Sequence, residues 1–155
     1  MRVETDLIGT KEIEKDAYYG LQTLRAYENF NITGRRVHPE FIRSLSAVKK
    51  AAAITNCQTG EVSEERKKAI DQDCDEILAG KLHDAFITDS IQGGAGTSFN
   101  MNANEVIANR AIEILGGEKG DYTIVHPNDH VNMSQSTNHV IPTAGKITAI
   151  KLLQG

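Results

Sequence analysis

The sequence contains no tryptophan, and aromatic residues make up only 5% of its 155 residues. Its two cysteines, Cys57 and Cys74, form no CxxC pair, which argues against a disulfide framework and favours reduced thiols. No apolar run approaches the ~20 residues that a membrane-spanning helix needs. The N-terminus is charged throughout and lacks the apolar segment of a signal peptide. We therefore expect a cytoplasmic protein with no membrane partner.

A basic excess is also lacking. The formal net charge is -4, and acidic and basic residues are interspersed, so we expect no basic surface for nucleic acid or an anionic membrane. With 39% hydrophobic residues, the chain has the composition and length of one soluble globular domain. An anionic substrate would have to be bound by local donors, because the field of the whole protein does not attract it.

Apolar residues that recur every three or four positions predict four helices. We expect these helices from Pro39 to about Thr59, from Ser63 to Gly80, from Thr97 or Ser98 to Gly116, and from about Val140 onward. On the first helix, the expected inner face consists of Phe41, Leu45, Val48, Ala52 and Thr55. Residues 1–36 are expected to be largely irregular, although the run Ala17–Phe30 could start with a helical turn. Short β pieces are expected at Arg2–Thr5 and Tyr122–Val125. The predicted fold class is therefore mainly α, with minor short β pieces.

A glycine-rich segment, QGGAGTSFNMNANE at 92–105, precedes the third predicted helix. It places Thr97 and Ser98 at a helix start, where unpaired backbone N–H groups and the helix dipole favour an anion. The helix then carries several asparagines, which are poor helix formers, and this predicts a buried polar network. A nucleotide-binding loop is not expected, since the lysine of GxxxxGK[ST] is missing. A tight turn that merely begins a capped helix remains an alternative.

The segment HPNDHVNMSQSTNH at 126–139 consists almost entirely of hydrogen-bond donors and acceptors with little fixed charge. Such a loop suits a small polar substrate held by directed hydrogen bonds. Ser136, Thr137 and Asn138 stand just before the expected last helix, although they could simply cap it. We expect no metal site, because Pro127 breaks any helical spacing of the histidines and no thiolate joins them. A serine hydrolase is not expected either, since Ser136 lacks a GxSxG context.

Three blocks of the sequence carry a family resemblance: DAYYGLQTLRAYENF at 16–30, QGGAGTSFNMNANEVIANRA at 92–111 and HPNDHVNMSQSTN at 126–138. With these blocks the chain resembles the fumarase/aspartase superfamily. The wording GGAGTS and QSTN resembles aspartases, whereas fumarases tend to show GSGTQ and QSSN. The resemblance implies the N-terminal domain of that fold over residues 1–138 and the start of a central long-helix bundle over 139–155. It also implies a homotetramer whose active sites each combine three subunits.

The activity implied by the resemblance is a cofactor-independent anti elimination of ammonia from L-aspartate, which gives fumarate. Ser136 and Thr137 would bind the β-carboxylate and its aci form, because fixed neutral donors stabilise developing charge without reorganisation. Thr97 would complete that pocket or contact the ammonium, and Asn138 would orient the leaving amine. The secondary candidates are Ser98 and three residues that match an additional anion site of fumarases, namely His126, Asn128 and Asp129.

The catalytic groups of the family lie in a GSSxMPxKxN loop, which has no counterpart in these residues. We therefore expect no catalytic base in this chain and no activity from it alone. Helical periodicity is still running at the last residues, which suggests a cut within a longer helix. His139 stands where the family usually has aspartate, and this difference puts the fine geometry in doubt. A fumarase and a non-catalytic fragment or scaffold are the alternative functions.

Overall fold

A computed structural model describes residues 1–154. Two short strands, β1 (Arg2–Thr5) and β2 (Thr10–Ile13), form an antiparallel hairpin. Five α-helices follow: α1 (Leu21–Asn29), α2 (Pro39–Gln58), α3 (Glu64–Leu78), α4 (Thr97–Ile114) and α5 (Thr137–Gln154). A 3₁₀ turn at His83–Ala85 precedes α4, and a π-helical turn at Pro127–Val131 precedes α5. The prediction of a mainly α fold with minor β pieces is confirmed.

The starts of α2 and α3 follow from local capping chemistry. His38 Nδ1 accepts a hydrogen bond of 3.1 Å from the backbone N–H of Glu40, and Pro39 occupies the first helical position, where its missing N–H costs nothing. Ser63 Oγ accepts 3.3 Å from the N–H of Arg66, and glutamates in the first turn of α3 favour the helix dipole. Both predicted helix starts are confirmed.

Helix α4 forms the centre of the core and packs against α1, α3, α5 and the π-helical turn. Of the apolar residues that recur every four positions and were predicted to face inwards, Phe99, Ala103, Ile107 and Ala111 are buried. The fifth, Leu115, lies just after the helix and is half-buried. The asparagines of the same helix are buried as well: Asn100, Asn102, Asn104 and Asn109. A helix that is buried nearly all round belongs to the interior of a domain. Polar groups there need partners, and several of these amides therefore link neighbouring elements.

Helix α2 is rotated relative to its predicted inner face. Its buried residues are Ile42, Ser44, Leu45, Ser46, Lys49, Ala53 and Asn56. Thr55, which was predicted to face inwards, is exposed, and Phe41, Val48 and Ala52 are only half-buried. The prediction was wrong because it followed apolar residues alone, whereas the buried face of this helix includes a lysine and an asparagine.

Four further local predictions were wrong. Residues 21–29, within a segment expected to be largely irregular, form helix α1. Residues 10–13 form a strand, since their backbone pairs with β1 although their side chains are polar. Residues 122–125 form a turn instead of a strand, with the Thr123 N–H donating to Asp121 Oδ1 at 3.2 Å. Helix α5 begins at Thr137 and not near Val140, so Pro142 lies in its second turn.

The carboxylate of Glu105, on α4, fastens the start of α1. It accepts hydrogen bonds from the backbone N–H groups of Gly20, Gln22 and Thr23 at 2.9, 2.9 and 3.0 Å, and from Thr23 Oγ1 at 2.5 Å. A Cβ at Gly20 would lie 2.4 Å from the Tyr122 hydroxyl, so only glycine fits this junction. Within residues 1–154, none of the helices combines the length and apolar character needed to cross a bilayer.

Candidate active site

The starts of α4 and α5 lie side by side. Gly96, which precedes α4, has a φ of +82°, and a Cβ there would lie 3.1 Å from Ile141 Cγ2 on α5. A side chain at residue 96 would therefore both strain the backbone and push the two helix starts apart. Asn100 Nδ2, in the first turn of α4, donates a 3.1 Å hydrogen bond to Thr137 Oγ1 in the first turn of α5. The structure thus brings the 97 region and the 136–138 region together.

The two helix starts offer a set of neutral donors. Thr97, Ser136 and Asn138 are exposed, and Ser98 and Thr137 are half-buried. In the described part of the chain, no side chain caps the N-terminus of α4. The first N–H groups of a helix have no intrahelical partner, and the helix dipole adds positive potential there. Hydroxyls and N–H groups at two adjacent helix starts form a site suited to a carboxylate.

A buried lysine supports the segment that leads into α5. Lys49 on α2 is 0% exposed, and its Nζ donates to Asn132 Oδ1 at 2.8 Å and to Gln135 Oε1 at 3.0 Å. Burial lowers the pKa of Lys49 to about 7. Asn132 Oδ1 also accepts 3.1 Å from Asn100 Nδ2. The contacts therefore run continuously from Lys49 through Asn132 and Asn100 to Thr137.

The loop at residues 132–135 is held in an uncommon conformation. Ser134 has a φ of +57°, in the left-handed region that side chains rarely adopt. Asn132 Nδ2 donates 3.1 Å to the backbone oxygen of Gln135, and Gln135 Nε2 donates 2.9 Å to that of Val131. On the α2 side, Asn56 Nδ2 donates 2.9 Å to the backbone oxygen of Met133. These side-chain contacts fix the loop immediately before Ser136.

Two of the secondary candidates face a different cleft. His126 and Asn128 line a cleft together with Met101, Glu105 and Tyr122, and none of the residues 97 and 136–138 lines it. His126 Nδ1 accepts from the backbone N–H groups of Asn128 and Asp129 at 3.2 and 3.1 Å. This nitrogen therefore acts as an acceptor, so its 3.5 Å approach to the Asp129 carboxylate is not an ion pair. Of the secondary candidates, only Ser98 lies at the two helix starts.

The histidines of the segment at 126–139 do not form a metal site. His130 Nδ1 accepts 2.8 Å from the backbone N–H of His126, and burial lowers the pKa of His130. Within residues 1–154, no three His, Cys, Asp or Glu side chains are grouped so as to hold a metal ion. His139 is exposed in the first turn of α5, next to the candidate donors.

Comparison with known proteins identifies the family of this chain. A family model described as lyase matches residues 9–154. The chain belongs to this lyase family. The chain is 61% identical to the aspartate ammonia-lyase of Bacillus subtilis (strain 168) over 153 residues, which is 99% of this chain and 32% of that protein. It is 49% identical to the aspartate ammonia-lyase of Escherichia coli (strain K12), again over 99% of this chain and 33% of that protein.

Solved structures of the lyase family share the fold. The fumarate lyase:delta crystallin of Brucella melitensis in native form matches with a TM-score of 0.95 and 51% identity, over 97% of this chain and 34% of that one. A class II fumarase from Schistosoma mansoni matches with a TM-score of 0.89 and 39% identity, over 95% of this chain and 31% of that one. The chain spans about a third of the length of the curated relatives it matches.

Three residues beneath the candidate site were not predicted from the sequence: Lys49, Asn132 and Gln135. Lys49 shares a helical face with Ile42, Leu45 and Ala53, so the periodicity of α2 contained a signal for a buried lysine. The signal was overlooked because a lysine within an apolar stripe is usually assigned to the surface.

Proposed function

We propose that this chain forms a substrate-binding part of an aspartate ammonia-lyase, which converts L-aspartate to fumarate and ammonia. The observation that supports this most strongly is the 49–61% identity to aspartate ammonia-lyases of Bacillus subtilis and Escherichia coli over nearly the whole chain. The identity to the class II fumarase structure is 39%. Because the chain spans about a third of its relatives, we assign the activity to a longer polypeptide that includes it.

The chemistry fits the donors at the two helix starts. Removal of a proton from C3 of aspartate places a second negative charge on the β-carboxylate before the C2 ammonium group leaves as ammonia. In the proposal, Ser136 and Thr137 hold that carboxylate with hydroxyl and N–H groups that are already in position. Thr97 completes the pocket from α4 or contacts the ammonium, and Asn138 orients the leaving amine. Neutral donors suit this role, since they stabilise the doubly charged aci form without binding the singly charged carboxylate of the product as tightly as fixed cations would.

The remaining parts of the proposed enzyme lie outside these residues. The base and a substrate-binding lysine are proposed to come from a GSSxMPxKxN loop elsewhere in the polypeptide. Thr97, Ser136 and Asn138 are exposed in the single chain, which leaves them accessible to other segments. We propose a cytoplasmic homotetramer in which three subunits contribute to each site. The proposed boundary between the N-terminal domain and a central helix bundle is near residue 138, in the first turn of α5.

The test uses the polypeptide encoded by this chain together with the sequence that follows it in the gene. L-Aspartate and L-malate are supplied separately, and fumarate is followed by its ultraviolet absorbance. We expect efficient fumarate formation from L-aspartate and little from L-malate. Preference for L-malate would support a fumarase instead, which the shared fold of the Schistosoma mansoni enzyme makes the second candidate. Turnover of neither compound would support a non-catalytic scaffold.

A further inference from the structure

We propose that Lys49 is a positioning residue for the candidate site. It fixes the direction of the hydrogen bonds that reach Thr137, so that the Thr137 hydroxyl is left as a donor to the substrate. This inference rests on the proposed function, because a free donor at residue 137 matters only if a carboxylate binds at the start of α5. Lys49 acts through Asn132 and Asn100 and has no role of its own in the chemical step.

The first contact joins Lys49 to the loop at residues 132–135. Lys49 Nζ lies 2.8 Å from Asn132 Oδ1 and 3.0 Å from Gln135 Oε1. As an ammonium it can only donate, and as a neutral amine it still has two protons to donate to these two oxygens. Both amides must therefore turn their oxygen atoms towards Lys49. In this orientation Asn132 Nδ2 donates 3.1 Å to the backbone oxygen of Gln135, which can only accept. The orientation of the Asn132 amide is thus fixed from both of its ends.

The second contact, between Asn132 and Asn100, fixes the orientation of an amide on α4. Because Asn132 Oδ1 can only accept, Asn100 must present its amide nitrogen to it, at 3.1 Å. The same nitrogen lies 3.1 Å from Thr137 Oγ1, so the threonine oxygen accepts there. A hydroxyl that accepts one hydrogen bond still has its own proton to donate. That proton is therefore available to a carboxylate at the start of α5.

The carbonyl oxygen of Asn100 indicates that this orientation is imposed. Within residues 1–154, Asn100 Oδ1 is buried and has no hydrogen-bond partner, which is costly for an amide. If the amide turned over, this oxygen would accept from the Thr137 hydroxyl and use up its proton. It would then also face Asn132 Oδ1, and two acceptors repel each other. As long as Lys49 holds Asn132 Oδ1 in place, the reversed orientation is excluded.

The burial of Lys49 lowers the stability of the fold. Its side chain is 0% exposed, and both of its hydrogen-bond partners are neutral amides. A buried ammonium that lacks an anionic partner costs folding free energy. A buried charge that lowers stability and lies at the edge of a binding site is typically kept for function.

A double-mutant cycle in the complete polypeptide described above tests the proposal. Lys49→Met removes the donor with little loss of volume, and Thr137→Val removes the hydroxyl at nearly constant shape. We expect Thr137→Val to lower kcat/KM for L-aspartate by roughly 10²-fold and Lys49→Met by roughly tenfold. The double variant should match Thr137→Val within about threefold, because Lys49 acts through that hydroxyl. A purely structural role for Lys49 would instead make the two losses multiply.

Lys50→Met is the matched control, since Lys50 is the next residue on α2 and its Nζ bonds the exposed Asp75 at 2.6 Å. It should have wild-type kinetics. Multiplying losses in the double variant, or wild-type kinetics in Lys49→Met, would overturn the proposal. A wild-type protein that does not convert L-aspartate contradicts the proposed function, whereas an active wild type with multiplying losses contradicts only the role of Lys49.

If Lys49→Met does not fold, Asn100→Asp takes its place in the same cycle. The aspartate has nearly the same shape, but its carboxylate accepts from the Thr137 hydroxyl and reverses that hydrogen bond. We expect a loss of kcat/KM that is again not additive with Thr137→Val. Wild-type kinetics in Asn100→Asp, or losses that multiply, would overturn the proposal.

Discussion

The backbone of Gly96 packs directly against the side chain of Ile141. A Cβ at residue 96 would lie 3.1 Å from Ile141 Cγ2, which is tighter than nine in ten observed Cβ contacts. This approach brings the first turn of α4 next to the first turn of α5, two elements about 40 residues apart in the sequence. The hydrogen bond from Asn100 to Thr137 also joins the two helix starts. The proposed site depends on this close approach.

The first prediction concerns Gly96→Ala, which should lower both stability and activity. The backbone φ of +82° costs a side chain about 1–2 kcal/mol, and the contact with Ile141 adds displacement of the helix start. Gly94→Ala is the matched control, since Gly94 has a φ of +67° and nothing within 4 Å of a Cβ. Denaturant unfolding and kcat/KM are measured for both variants. Equal values of kcat/KM for the two variants would show that the contact between residue 96 and Ile141 does not affect the site.

The second prediction concerns the hydroxyl of Thr137. Thr137→Ala should lower kcat/KM for L-aspartate by roughly 10²-fold or more, the scale typical of losing one donor to a developing oxyanion. Thr55→Ala, on the exposed side of α2, serves as the control and should change kcat/KM little. Steady-state kinetics of the complete polypeptide provide the measurement. A loss below about threefold at residue 137 would remove this hydroxyl from the site.

The third prediction is a pH dependence of stability caused by Lys49. Burial lowers the pKa of Lys49 from 10.5 to about 7, so between these values the unfolded chain holds a proton that the folded chain lacks. The unfolding free energy should therefore rise with pH in this window, by up to about 1.4 kcal/mol per pH unit. The cost of the buried ammonium is fully present below pH 7. The neighbouring Cys74 thiol stays neutral in this window, because burial raises its pKa.

Lys49→Met should remove this rise, so its stability advantage or deficit relative to the wild type should change steadily from pH 7 to pH 10. Denaturant unfolding at several pH values provides the measurement. Lys50→Met is the control, since a hydrogen bond to Asp75 raises the pKa of Lys50. Parallel stability curves for wild type and Lys49→Met over this window would show that Lys49 stays charged in the folded protein.

The fourth prediction concerns the junction of α1 with α4. Glu105→Gln replaces one carboxylate oxygen with a donor that faces the N–H groups of Gly20, Gln22 and Thr23. We expect a loss of about 1–3 kcal/mol in unfolding free energy. The exposed Glu12→Gln should change stability by less than about 0.5 kcal/mol. Unchanged stability of Glu105→Gln would mean that the start of α1 is fixed by other contacts.

Much of the fold was predictable from the sequence because capping residues and apolar spacing act locally. The spacing of Phe99, Ala103, Ile107 and Ala111 correctly identified α4, and Pro39 and Ser63 marked two helix starts. Elements that depend on distant partners were not predictable in this way. The polar strand at residues 10–13 exists because β1 pairs with it. Residues 122–125 have β-prone side chains but no partner strand within residues 1–154, and they form a turn.

The hydrogen-bond donors of the candidate site were predictable from the sequence, but the residues that hold them in place were not. The residues at 97 and 136–138 stand at predicted helix starts, although α5 begins early enough to include Thr137 and Asn138 in its first turn. The predicted start of α5 was too late because proline favours the first turn of a helix, whereas Pro142 occupies the second turn here. Lys49 lies 83 residues before Asn132, and no local pattern connects the two. Only the packing of α2 beneath the loop at residues 132–135 reveals that contact.

The most direct measurement is a crystal structure of the complete polypeptide after its crystals are soaked with succinate, a dicarboxylate that cannot react. We expect one carboxylate of succinate within hydrogen-bond distance of Ser136 and Thr137, with Thr97 at the edge of the same pocket. A control crystal of Thr137→Val should show weaker occupancy at the same concentration. An ordered succinate bound elsewhere in the crystal, with the starts of α4 and α5 left to solvent, would contradict the account.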